Sequence, residues 1–384
     1  MHPPSGILPY LMRVLFINRM ISMVRGGGET FDLEMARHLE SPECQTGFLS
    51  GIPLFSQPDT PLDHPGSSTI RSPYTGWFPW DRVWQGWRLR VWDFRCFERK
   101  VARWAKAHRD AYDIIQICEM PPLIDDLLKQ ELNCPIVMRI TAPDYHDPHQ
   151  AVTRASAIIA SGTSIATLRK GVRPDAVDIP NGVDTERFRA GSSDFRAGEG
   201  IADSDFVILF VARFHEVKNH HMLIRAFKRV LENIPEARLV LVGAGPLENF
   251  TRKCCRESNT QSRVHFLGEV AYGDLPEIYA AADLKVISSN YESFCFAALE
   301  GMSSSLPLVV TDTEWVPGLI GRDQGGVVVP KDNDAAMAEA ICTLQKDPER
   351  RQRMGQWNRE QVMENYRWAT SAQKLLSLYQ TLLS

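Results

Sequence analysis

A chain of 384 residues that is 44% hydrophobic and 23% charged has the composition of a folded protein of two or three domains, which excludes a disordered tail protein. With 43 Lys and Arg against 47 Asp and Glu, a formal net charge of −4 excludes a global basic field for nucleic acid, so any anionic ligand must be met by a local site. The eight cysteines form neither a C-x-x-C pair nor a disulfide framework, which points to a reducing, cytoplasmic compartment.

No basic segment precedes the first apolar stretch, and no run reaches the roughly 18 apolar residues that span a bilayer. The expectation is a protein neither secreted nor integral to a membrane. The first apolar run, residues 13–18, leads into the glycine loop 25–30 and then a helical pattern at Phe31, Met35 and Leu39. Strand, glycine loop and helix follow one another. Apolar runs at 113–118, 134–138, 157–160 and 176–179, with a helical stretch at 123–132, continue the alternation and predict a parallel α/β domain.

One segment breaks the pattern. Trp77, Trp80, Trp84, Trp87, Trp92 and Trp104 are interleaved with Arg82, Arg88, Arg90, Arg95, Arg99 and Arg103. Trp80, Trp84, Trp87, Val91 and Phe94 fall on one helical face. One account is a long helix burying that stripe on its own domain. The other is a basic surface helix touching lipid headgroups or a bulky acceptor.

Between 189 and 204 the apolar pattern stops and Gly, Ser, Ala, Asp and Glu dominate, as in a linker. Asp203-Ser-Asp205, a D-x-D string, sits at its end and reads as linker polarity. Strands at 206–211, 238–242, 264–267, 284–287 and 308–310 then alternate with helical segments, and 358–384 read as two helices with Leu375, Leu376, Leu378 and Tyr379 apolar.

Five local signals point toward a nucleoside diphosphate. Arg213 and Lys218 follow a strand's carboxyl end, where open α/β sheets bind ligands. Gly243 and Gly245 follow the next strand and allow close backbone approach; the third glycine of a dinucleotide fingerprint is absent, which removes support for an oxidoreductase. Glu292 and Glu300 read as the start and interior of one helix, roughly 12 Å apart along its axis, each able to accept vicinal hydroxyls, with the amides of Ser293 and Phe294 at its N-terminus. The remaining two are Phe266-Leu267-Gly268 and the turn 179–188.

In order and spacing these elements resemble the family-four retaining glycosyltransferases of the GT-B fold. The matching elements are Gly26-Gly27-Gly28-Glu29, Pro180-Asn181-Gly182-Val183-Asp184, Arg213 with Lys218, Gly243-Ala244-Gly245-Pro246, Phe266-Leu267-Gly268, and two glutamates with seven residues between them. The resemblance covers nearly the whole chain. It implies two Rossmann-like domains facing each other across a cleft, with C-terminal helices packing back toward the N-terminal domain. The expected boundaries are 1–188 for the acceptor-side domain, with a Trp-rich insertion near 70–105, a linker at 189–204, 205–357 for the donor-side domain and 358–384 for the crossing helices.

The resemblance further implies a nucleotide-sugar donor, UDP-sugar favoured, and an acceptor that is a glycan, a lipid-linked sugar or a small molecule. Arg213 and Lys218 would neutralise the leaving diphosphate. Glu292 would meet the donor sugar and Glu300 the ribose, with Gly27, Gly28, Gly243, Gly245, Ser293, Phe294 and Cys295 lining the donor. The leaving phosphate would deprotonate the acceptor, with no metal and no cofactor.

The family's usual N-terminal histidine has no counterpart between Arg139 and Thr141; His146 or His149 could take its place if their loop folds back, and Arg139, Asp144 and His146 are the acceptor-side candidates. Cys295 and Ser305 stand where glycines are usual, and Gly318 where glutamate is common. Two other functions fit the same residues: a GT-B relative with other nucleotide-sugar chemistry, such as epimerisation, and a silent sugar-nucleotide-binding partner subunit. Peripheral contact with the inner face of a membrane, through the Trp/Arg-rich segment, is the remaining expectation, and no nucleic-acid partner is expected.

Overall fold

The computed structural model describes residues 11–23, 26–55, 62–73, 86–142, 147 and 149–384, with the backbone alone at 86–90. The chain forms two compact units, Met1–Pro180 with Ser371–Ser384 and Asn181–Thr370.

The first unit runs β1 (Met12–Asn18), α1 (Gly27–Leu39), β2 (Cys44–Pro53), β3 (Ser67–Ser72), α2 (Gly86–Ala107), β4 (Ile114–Cys118), α3 (Pro121–Leu128), β5 (Ile136–Ile140), β6 (Ala157–Ala160), α4 (Gly162–Lys170) and β7 (Val177–Asp178). Its strands form one parallel sheet in the order β3-β2-β1-β4-β5-β6-β7. The central strands are apolar on both faces because helices cover both, and Leu15, Ile17, Ile115, Ile117, Met138 and Ile140 form the core with Leu123 and Phe97. Strand β2 and the edge strand β3 were not anticipated. Gly47, Ser50 and Gly51 interrupt β2 and β3 is mostly polar, so neither shows the apolar run by which the inner strands are recognised.

Helix α2 buries Phe97, Val101 and Ala105, with Phe94 and Trp104 packed against that core. Its buried Asp93 pairs with the equally buried Arg19. Of the expected stripe, Trp80, Trp84 and the Trp87 side chain lie outside the described residues. Val91, expected on the buried face, is 38% exposed beside Trp92 at 54%, so of the stripe's described positions Phe94, partly buried, is the one that packs on the core. Among the described residues no helix is long and apolar enough to cross a membrane.

The second unit runs α5 (Phe195–Gly198), β8 (Phe206–Val211), α6 (His220–Leu231), β9 (Ala237–Val242), α7 (Glu248–Glu257), β10 (Val264–Gly268), α8 (Leu275–Ala280), β11 (Leu284–Ile287), α9 (Phe296–Ser303), β12 (Leu308–Thr311), α10 (Val316–Leu319), β13 (Gly326–Val329), α11 (Asp334–Lys346) and α12 (Pro348–Asn365). Its parallel sheet has the order β10-β9-β8-β11-β12-β13. Five of its strands fall where the apolar runs lie; β13, only four residues, was not anticipated. Residues 189–204, read as a linker, pack within this unit. Arg196 donates to the carbonyls of Ala281, Asp203 and Asp205 and pairs with Asp283 at 2.9 Å, while the Asp205 carboxylate is held by Arg238 at 2.8 Å.

Helix α12 starts at Pro348 behind Asp347, whose carboxylate accepts from the Arg350 amide at 2.8 Å. Fully buried Asn358 then donates to the carbonyls of Leu306 and Gly325 at 2.8 and 2.7 Å. The last helix, α13 (Trp368–Leu383), counts with the first unit from Ser371 onward and buries Leu375 and Tyr379. The Tyr379 hydroxyl donates to Gln116 Oε1 on β4 at 2.6 Å.

Two stability predictions follow from local geometry. Ser305 ends α9 at φ +59°, a left-handed conformation that costs a side chain on the order of 1 kcal/mol. Ser305→Gly is expected to raise the unfolding free energy by that amount, read as a higher denaturation midpoint at unchanged slope, and an unchanged or lower midpoint would contradict it. His220 opens α6 stacked on Phe214 at 4.2 Å and edge-on to Phe210 at 4.9 Å. Burial, with the Lys218 charge, lowers its pKa from 6.5 to about 4. Between those values the unfolded chain binds the extra proton, so stability is lost as pH falls from about 6.5 toward 4, on the order of 3 kcal/mol in total. His220→Phe is expected to remove most of that loss, measured by urea unfolding at pH 7 and pH 4.5.

Candidate functional site

In each sheet the strand order reverses beside its first strand, between β1 and β4 and between β8 and β11, the place where open α/β sheets bind ligands. Arg213, Lys218, Glu292, Ser293, Phe294 and Cys295 lie on the segments that follow β8 and β11.

In the second unit, β8 ends at Val211 and the chain passes Arg213 and buried Phe214 before a single 3-10 turn, Glu216–Lys218. The Arg213 side chain is exposed and makes no hydrogen bond or ion pair among the described residues. The loop after β9 lies directly on this segment. Phe214 N donates to the Ala244 carbonyl at 3.0 Å and Leu247 N to the Phe214 carbonyl at 3.1 Å. Gly243 has φ +130°, and a Cβ there would collide with the Ala212 carbonyl oxygen; a Cβ on Gly245 would stand 2.6 Å from the Phe214 oxygen. The two glycines thus serve backbone-to-backbone packing. The Gly243 amide donates to the Gly268 carbonyl at 2.7 Å.

The loop after β11 is laced to the same turn. Ser288 Oγ donates to the Lys218 carbonyl at 2.8 Å and Asn290 N to the Val217 carbonyl at 2.8 Å. Asn219 Nδ2 donates to Asn290 Oδ1 at 3.1 Å. These bonds bring Lys218 Nζ to 2.7 Å from Glu292 Oε1, which also accepts from Ser289 Oγ at 2.6 Å. The Lys218 side chain is 25% exposed and that of Glu292 8%, so the pair is sheltered with the ammonium reaching outward.

Glu292 is not on a helix. Cys295 stands at φ +76°, which no helix accommodates, and α9 begins only at Phe296. Glu292, Ser293 and Phe294 therefore lie in the preceding loop, and helical rise does not set the distance from Glu292 to Glu300. Ser293 is half-buried, while Phe294 is buried and stacks on Trp315 with ring centroids 5.8 Å apart. Burial pushes the Cys295 thiol up to about 12, so it remains a neutral thiol. Glu300 lies within α9, nine-tenths buried, and its Oε2 accepts from the Tyr279 hydroxyl at 2.7 Å. Its Oε1 takes no protein hydrogen bond among the described residues. Burial raises the Glu300 pKa, opposed by the Tyr279 hydrogen bond and the Lys285 charge.

In the first unit, Gly27 and Gly28 form the opening turn of α1, and Gly26 N donates to Glu29 Oε2 at 3.1 Å. A Cβ on Gly28 would lie 3.1 Å from Cys118 Sγ and 3.7 Å from Arg139 Nη1, so the glycine lets the helix start close to both. Arg139, on β5 and 4% exposed, places its guanidinium 3.9 Å over the Phe31 ring. Behind it Asp32 accepts from Asn18 Nδ2 at 2.8 Å and Gln116 Nε2 at 3.3 Å. Burial pushes the Asp32 carboxyl up to about 6, against the opposing Arg139 charge. Glu119 accepts from the Thr141 amide at 3.0 Å and from the Thr141 hydroxyl. Asp144 and His146 lie outside the described residues.

Sequence patterning missed Ser289, Tyr279, Lys285 and Asp32. Serine and tyrosine leave no mark in a hydrophobic pattern, and Asp32 sits one residue from an apolar helix position. Lys285 did leave one, a charge inside the otherwise apolar run 284–287.

Residues 192–361 match the family model for glycosyl transferases group 1. Over 222 residues the chain is 31% identical to the D-inositol 3-phosphate glycosyltransferase of Corynebacterium glutamicum, which covers 54% of this chain and 52% of that protein. The chain spans about half the length of most of the curated relatives it matches. Among solved structures, the sucrose-phosphate synthase of Thermosynechococcus elongatus matches with a TM-score of 0.76 at 21% identity, over 97% of this chain and 99% of that one. HepE of Anabaena, in complex with UDP-glucose, matches with a TM-score of 0.74 at 20% identity, over 96% and 100%. These likenesses are of fold, two parallel-sheet α/β domains of the GT-B type. The second unit is thus similar in sequence to the glycosyl transferases group 1 family over residues 192–361, and both units match the GT-B glycosyltransferases in fold.

Proposed function

We propose that this chain is a retaining glycosyltransferase that moves a sugar from a UDP-sugar to an acceptor hydroxyl, without a metal ion. The observation that supports this best is the Lys218–Glu292 pair beside the uncommitted Arg213, at the carboxyl ends of β8 and β11. Two cations at that edge suit a diphosphate. Glu292 holds the Lys218 ammonium in place at 2.7 Å and leaves it two N–H groups for phosphate oxygens.

As the bond between the anomeric carbon and the phosphate oxygen breaks, negative charge gathers on the diphosphate, and Arg213 with Lys218 stabilises it where it develops. The leaving phosphate oxygen takes the proton of the acceptor hydroxyl, whose oxygen bonds to the anomeric carbon on the face the diphosphate leaves. Configuration is retained without a protein nucleophile, in keeping with the neutral thiol of Cys295. The free oxygen of Glu292 accepts from a donor-sugar hydroxyl, and Glu300 Oε1 from the ribose. Ser293 and Phe294 contribute loop amides, and Gly245 the close approach of its backbone. The amides of Gly27 and Gly28 serve the donor's phosphate or sugar, and Arg139 serves the acceptor. UDP as the nucleotide is supported by the UDP and UDP-glucose complexes of the HepE fold relative.

Lys218→Ala is expected to fold normally by circular dichroism and to lower turnover by about a hundredfold or more, measured as UDP release. Unchanged turnover would remove leaving-group stabilisation by Lys218. UDP release is also expected to persist in excess EDTA, and strict dependence on an added divalent ion would contradict the metal-free mechanism.

A further inference from the structure

Strand β11 is apolar at Leu284, Val286 and Ile287 and carries a lysine between them. By the period of two, Lys285 shares a face with Ile287, toward α9. Its side chain is wholly buried, and Nζ has no protein hydrogen-bond partner among the described residues. A buried ammonium without a direct partner is costly and calls for compensation from its surroundings.

Those surroundings all belong to one group. The lysine stem lies along α9 where Gly301 leaves room for it; a Cβ at 301 would stand 3.1 Å from Lys285 Cγ. The ammonium lies 5.6 Å from the centroid of the Tyr279 ring and 5.7 Å from that of Phe210. The Tyr279 hydroxyl in turn donates to Glu300 Oε2. A cation at the face of a phenol draws electron density from it and makes the hydroxyl a stronger donor. The titratable groups around Lys285 are Tyr279 on α8, Cys295 and Glu300 at α9, Glu292 on the loop after β11 and Lys218 on the turn after β8. Cys295 is a neutral thiol, and Glu292 is already bonded to Lys218. Glu300 is the remaining carboxylate, and it has an oxygen to spare.

We propose that Lys285 is a positioning residue that keeps Glu300 ionised and oriented, by its charge and through Tyr279, so that Glu300 Oε1 accepts the ribose hydroxyls of the donor nucleotide. The inference rests on Glu300 being the ribose-binding group. Only the carboxylate is acceptor on both oxygens, so a protonated Glu300 would lose part of its grip on a diol. Lys285 touches no reacting atom, and its removal is expected to change nucleotide binding rather than chemistry.

The experiment compares binding of UDP and 2′,3′-dideoxy-UDP by calorimetry, from pH 5.5 to 8.5, in the full chain and in Lys285→Met, Tyr279→Phe and Glu300→Gln. The unmodified protein is expected to prefer UDP. Lys285→Met is expected to lower that preference at least tenfold near pH 6.5, with part of it recovered as rising pH ionises Glu300, and to raise KM for the donor more than it lowers kcat. If Lys285→Met does not fold, Tyr279→Phe carries the test, since it removes the same hydroxyl bond and is expected to weaken the preference in the same direction. An unchanged preference in Lys285→Met, or in Tyr279→Phe where that carries the test, while Glu300→Gln lowers it overturns the proposal and leaves the ribose assignment standing. An unchanged preference in Glu300→Gln overturns the ribose assignment, and the proposal with it.

Discussion

The ion pair between Lys218 and Glu292 is the contact on which the rest of the second unit's site depends. It joins a 3-10 turn after β8 to an irregular loop after β11, segments that share no ladder of their own. A sheltered pair of opposite charges is stable only when its remaining lone pairs and N–H groups are satisfied. Ser289 fills one lone pair of Glu292, and Ser288, Asn219 and Asn290 bind the two backbones so that the charges meet without searching. The pair places a cation at the mouth of the strand-order reversal while holding it to one position.

Around that contact the backbone takes conformations that glycine ordinarily serves. Gly243 and Gly245 bring the β9 loop against the carbonyls of Ala212 and Phe214, leaving no space for side chains. Cys295 and Ser305 hold positive φ at the two ends of α9 with side chains present. The strain at Cys295 has a structural consequence: it ends the irregular loop abruptly, so that Glu292 leaves the helix while Glu300 stays inside it.

The two units treat buried charge differently. In the first, Asp32 is surrounded by amide donors from Asn18 and Gln116, and Gln116 passes the network on to Tyr379 near the C-terminus. In the second, Glu300 has one hydroxyl donor and a distant ammonium, which leaves an oxygen uncommitted. A saturated network fixes a fold, whereas a buried carboxylate with an uncommitted oxygen can still accept a hydrogen bond from a ligand. By this criterion Glu300 has the character of a binding group and Asp32 that of a structural one.

The order of strands and helices, the glycine loops and the identities of Arg213, Lys218, Glu292 and Glu300 were legible in the sequence, because inner parallel strands are apolar runs and glycine marks the backbone's close approaches. Strands β2 and β3 were not, since β2 is interrupted by Gly47, Ser50 and Gly51 and the edge strand β3 is mostly polar, so neither carries an apolar run. Tertiary structure alone decided that Lys218 and Glu292, 74 positions apart, form a pair, because only the sheet order sets β8 beside β11. It also decided that Glu292 lies off the helix, through a single left-handed residue, and that a lysine in an apolar strand lies beneath Tyr279 and Glu300. Local sequence fixes periodicity and conformational preference along the chain, while the meeting of charges depends on which strands become neighbours.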